Sequence, residues 1–69
     1  MGNISSISTF WEKLGAALAG DFTGWTQIYE TTEGLRRYVL PVTDDRVYEA
    51  YAYCGRVHVY DPDMRRVCA

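Results

Sequence analysis

Ile4, Ile7, Trp11, Leu14 and Leu18 follow one another at spacings of 3, 4, 3 and 4. That rhythm holds them on one stripe of a helix, because each residue advances the chain by about 100° around the axis. Ala16, Ala17 and Ala19 are strong helix formers in the same stretch. Two starts suit it. Asn3 can cap a helix from Ile4, or Thr9 can cap it with Glu12 three residues on as a capping box. Gly20 suits the left-handed position just past the end. The pattern predicts a helix over about residues 4–19. Gly15 costs it ~1 kcal/mol relative to alanine unless close packing needs the missing side chain.

After Gly24 the pattern changes to alternation. Trp25 to Glu30, Leu35 to Val42, Val47 to Tyr53, Arg56 to Tyr60 and Arg65 to Cys68 read as strands. Turn chemistry separates them at Thr31 to Gly34, Thr43 to Arg46, Cys54-Gly55 and Asp61 to Met64. Pro41 limits pairing near the end of the second. The expected fold class is α+β: one N-terminal helix packed on an antiparallel β-meander of three to five strands. Residues 1–69 form a single small domain in this reading, with the meander over about 25–68.

Simple hairpin registers sort the strands into two unlike faces. Ala50, Ala52, Val57, Val59 and Cys68 share the first, with Ile28 and Val39 added by extension. Tyr51, Tyr53, Arg56, His58, Tyr60 and Val67 share the second, with Trp25, Tyr29, Arg36, Tyr38 and Leu40 added. A bulge at Pro41 would reverse the extension. The alanines admit a close helix, so Ile7, Trp11, Leu14 and Leu18 are expected over the first face. The second is left as an uncovered tyrosine surface. Tyrosine brings large contact area with few rotamers to freeze, which suits recognition. Cross-strand tyrosine pairs also stabilise a sheet on their own.

Composition narrows the function. Hydrophobic residues are 48% and charged residues 23%, which excludes general disorder. Seven Lys/Arg against nine Asp/Glu give a net charge of −2, contrary to the basic excess of a general nucleic-acid binder. No apolar run is long enough to span a bilayer and no secretory leader is evident, so a cytoplasmic protein is expected. Two cysteines and one histidine are too few for a disulfide scaffold or a zinc site, so neither metal nor cofactor is expected. The registers hold Cys54 and Cys68 too far apart for a bridge, which suits a reducing compartment. Glu49 and Tyr51 neighbour His58, but no serine or cysteine nucleophile is placed with them, so an enzyme is not expected. The Arg36-Arg37 and Arg65-Arg66 pairs split between the two faces. The acids gather in turns. The candidate partner-binding set is therefore Tyr51, Tyr53, His58 and Tyr60 for contact, with Asp44, Asp45, Glu49, Asp61 and Asp63 meeting basic residues of a protein partner.

The Ile4 to Leu18 helix, the Trp25 to Cys68 meander and the turn acids together resemble the small phage-encoded inhibitors of the anti-CRISPR type. The resemblance is one of overall character. It implies a non-enzymatic inhibitor that binds a Cas effector subunit or complex in the host cell and blocks DNA binding or nuclease recruitment. A charge of −2 departs from the strongly acidic DNA mimics in that class. Two other readings stay open. One is a self-associating structural or antitoxin-like module. The other is a membrane-associated adaptor, since Met1-Gly2 with Ser6 fits the N-myristoylation pattern.

Overall fold

A computed structural model describes the backbone of residues 2–67 and the side chains of residues 9–67. The positions expected for the Ile4, Ile7 and Cys68 side chains lie outside the described residues. Helix α1 (Gly2–Leu18) is followed by β1 (Thr26–Glu30), β2 (Arg36–Thr43), β3 (Arg46–Tyr53), β4 (Arg56–Tyr60) and β5 (Arg66–Val67). The strands form one antiparallel sheet in the order β1-β2-β3-β4-β5, so the domain is α+β with a five-stranded meander.

The helix starts earlier than either expected cap. Asn3 and Thr9 both lie inside it, because no proline or glycine between them interrupts the hydrogen-bond ladder. Its end follows the sequence closely. Gly20 takes a φ of 95°, Gly20 N–H donates to Ala17 O, and Asp21 N–H donates to Ala16 O, both at 2.9 Å. Those two bonds make a Schellman motif. Nothing packs over Gly15, so close approach is not why it is there.

The buried arc of α1 runs through Phe10, Leu14, Ala17 and Leu18 rather than through Trp11. Trp11 is 58% exposed, against the expectation that it covers the sheet. Ala17 has no exposure at all, and a small residue at the centre of the arc lets the helix lie close to the sheet. That roll leaves Trp11 at the arc's margin, where it meets Phe10 edge-on at 5.3 Å. Phe10 in turn contacts Tyr48 of β3.

Trp25 also departs from its expected place. It precedes β1, is buried, and donates from its indole Nε1–H to Lys13 O at 3.2 Å. The segment before it folds back because Asp21 accepts from Thr23 N–H and Thr23 O–H, contacts that hold its carboxyl below the usual range. Phe22 is thereby laid flat on Tyr38, with ring centres 4.1 Å apart and planes 10° from parallel.

Three of the four hairpins hold one or two residues more than the simplest register allows. Val42 bulges between the pairs Pro41–Val47 and Thr43–Arg46. This is the reversal that a bulge near Pro41 would cause. Tyr38 faces Ala50 and Leu40 faces Tyr48, so Arg36, Tyr38 and Leu40 lie on the helix side and Val39 lies on the other. Ile28 bulges between Gln27 and Tyr29, and Tyr29 falls opposite Arg37. The β4–β5 loop places Val67 opposite Val59, on the helix side rather than with the tyrosines. Only the β3–β4 hairpin is the plain two-residue turn expected, with Cys54 and Gly55 at φ 52° and 73° as a type I′ turn requires.

The loops after β1 and β4 share one construction. Thr31 N–H donates to Leu35 O and Gly34 N–H to Thr31 O; Asp61 N–H donates to Arg65 O and Met64 N–H to Asp61 O. In each, the first side chain accepts from the amide four residues on, Thr31 Oγ1 from Leu35 and Asp61 Oδ1 from Arg65. The fourth residue is left-handed in both: Gly34 at φ 96° and Met64 at φ 64°. Glycine meets that demand without a steric penalty and methionine does not. Met64→Gly should therefore raise stability by about 0.5–1 kcal/mol, after allowing for glycine's greater freedom in the unfolded chain. Urea denaturation checks this, and a midpoint that stays put or falls would contradict the strain.

The core is single. Leu14 and Ala17 of α1 and Trp25 close over Tyr38, Leu40, Ala50, Ala52 and Val59.

Candidate functional site: the uncovered sheet face

The side of the sheet away from α1 is ordered in cross-strand rows. One row runs Tyr29, Arg37, Tyr51, His58 across β1 to β4. The next runs Thr26, Val39, Glu49, Tyr60, Arg66 across all five strands. Tyr53 and Arg56 form a third pair beside the β3–β4 turn. Among the described residues no element packs over these rows; α1 contacts the other side.

A charged network holds the centre. Arg37 Nη2 donates to Glu49 Oε1 at 2.7 Å, and Tyr51 O–H donates to the same oxygen at 3.2 Å. The Arg37 guanidinium lies 5.7 Å from the Tyr51 ring centre, and Tyr60 meets Tyr51 edge-on at 6.1 Å. Arg37 and Tyr51 are opposite, Arg37–Glu49 and Tyr51–Tyr60 are diagonal, and Tyr51 and Glu49 are two apart on β3, all within reach on one face. The Glu49 hydrogen bond raises the Arg37 pKa above its ordinary value. Burial raises the Tyr51 phenol, with Arg37 pulling the other way and Glu49 adding to the rise. Arg37 Nε is buried without an acceptor, packed among these groups.

Tyr51, Tyr53, His58 and Tyr60 thus share one face, with Tyr53 the most exposed of them. A hydrogen bond with the Cys54 thiol raises the Tyr53 pKa. Asp44 and Asp45 occupy the β2–β3 turn, and Asp61 and Asp63 the β4–β5 loop at the same end of the sheet. An exposed pair of Arg46 Nη2 and Asp63 Oδ1, 3.5 Å apart, joins the two turns. Glu49 stands apart from those four. It lies in mid-strand, and its carboxylate already has Arg37 and Tyr51 as partners. Tyr29 lies on the face where the extended register put it, whereas Arg37 takes the place expected for Arg36, because the bulge at Val42 shifts β2 by one residue.

Among the described residues, no three His, Cys, Asp or Glu side chains converge as a metal site requires. No helix among them is long and apolar enough to cross a membrane. No protein-family model, curated protein or solved structure matches the chain.

Proposed function

We propose that the chain is a non-enzymatic binding protein that inhibits a nucleic-acid-processing host complex by stoichiometric contact, as anti-CRISPR proteins do. The observation that carries the binding reading is the uncovered tyrosine face. Tyrosine and arginine dominate the energetics of protein interfaces, and here they lie side by side on a rigid sheet. The Arg37–Glu49–Tyr51 network fixes rotamers before a partner arrives, which lowers the entropy lost on docking. The four turn aspartates at one end of the sheet supply a local acidic edge for basic residues of a nucleic-acid-handling partner. What supports the inhibitor reading is that edge together with a small domain given over to one contact surface.

The test is titration of the purified protein into reconstituted Cas effectors, scoring target-DNA binding and cleavage. Inhibition should saturate at one protein per complex. A Tyr51→Ala/Tyr53→Ala variant, checked for folding by circular dichroism, should lose at least about 100-fold in affinity, since hot-spot tyrosines cost about 2 kcal/mol or more each on truncation. A panel untouched by the wild type overturns the inhibitor reading. Inhibition retained by the folded double variant overturns the face.

A further inference from the structure

We infer that the uncovered face receives an extended acidic segment of a protein partner, and that Glu49 serves as the internal counterion of Arg37 rather than as a contact. This rests on the docking reading above and names the chemistry of what docks. By register the arginine, lysine, aspartate and glutamate residues of the face are four: Arg37, Glu49, Arg56 and Arg66. Arg37 and Glu49 neutralise each other at 2.7 Å. Among the described residues the only other ion pair is Arg46 with Asp63, so Arg56 and Arg66 have no counterion. Both are exposed. The face is therefore cationic on a chain whose net charge is −2.

The positions of the two free arginines set a spacing. Arg56 opens β4, and Arg66 pairs with Tyr60 at the other end of it. Four residues along a strand span about 13 Å, so the guanidinium groups address acids at positions i and i+4 of an extended segment. Alternation turns residue i+2 to the same side, over Tyr51, His58 and Tyr60. The matching pattern is acid, any, apolar, any, acid. A single nucleic-acid strand fits less well. It needs a continuous track of cations, whereas two free arginines about 13 Å apart along the strand direction stand alone here.

The probe is the capped peptide Gly-Glu-Ser-Leu-Ser-Glu-Gly, followed by amide chemical shifts at low salt. Shifts should concentrate on β3 to β5 around Tyr51, Tyr60 and Arg66. Arg56→Glu/Arg66→Glu should abolish them and should instead bind the same peptide with lysines for glutamates. Glu49→Gln frees Arg37 and should tighten the acidic peptide about fivefold, the scale of one added partly exposed charge contact. If Glu49 meets a basic partner, the same change weakens binding and the lysine peptide is preferred by the wild type; that result overturns the inference. So does tighter binding of oligo(dT), or absence of shifts with the acidic peptide. Absence of shifts alongside an inhibitor that still depends on Tyr51 and Tyr53 removes the acidic segment and leaves the docking face standing.

Discussion

Tyr38→Ala is expected to cost about 3–5 kcal/mol, the range for deleting a buried aromatic side chain. A domain of this size has only about 3–5 kcal/mol to lose, so most molecules should be unfolded at 25 °C. Tyr38 is 7% exposed and lies between the loop after α1 and β3. Its ring stacks on Phe22 of the loop after α1, its Cα faces Ala50 of β3, and the Arg36 guanidinium lies 5.8 Å from its centre. Removing it unseats the loop that carries Trp25, and with that loop the helix loses the indole bond to Lys13. Tyr38→Phe keeps the stacked ring and should stay within about 1.5 kcal/mol of wild type, as shape-conserving core changes do. Urea titration followed by circular dichroism separates the two. A cooperative transition at the wild-type midpoint in Tyr38→Ala would show that the stack contributes nothing.

Ala50→Leu should cost about 1–3 kcal/mol through overpacking, with the helix as the part that yields. Ala50 has no exposure and is flanked on its own face by Tyr38 and Val59, which leaves three added carbons nowhere to go except toward α1. The sheet ladder does not depend on that side chain. The expected signature is therefore selective: hydrogen exchange quickens in α1 while amides paired across β2, β3 and β4 keep their protection. Uniform loss of protection, or none, would contradict a helix held by close approach alone.

Both changes act at positions whose burial was only half legible in the chain. Ala50 was readable, because the type I′ turn at Cys54-Gly55 fixes the β3–β4 register without an extra residue. Tyr38 was not. A residue inserted at Val42 moves every earlier position of β2 to the opposite face, and a single-residue slip in a period of two is a complete reversal. The same arithmetic moved Val67 through the left-handed Met64. Neither insertion has a strong local signature: Pro41 hints at one, and a methionine gives no sign of a left-handed turn. The helix was clearer in its end than in its buried side. Gly20 can mean little else after an alanine run, but the choice between Phe10 and Trp11 depends on how closely the alanines of the sheet let α1 approach. For the candidate site, the grouping of Tyr51, Tyr53, His58 and Tyr60 followed from the one regular hairpin. The pairing of Glu49 with Arg37 depended on the irregular one and was out of reach.

The bulge at Ile28 has a different consequence at the margin of the sheet. A long, flat outer strand presents a row of open amides and carbonyls on which further copies can add, and aromatic-rich strands add readily. Here β1 is interrupted within its five residues by that bulge, and β5 on the other side is two residues long. Neither border is a good template for lateral growth. The bulge disfavours addition of further strands along β1, so that edge is a poorer place for contact than the open surface with its four tyrosines.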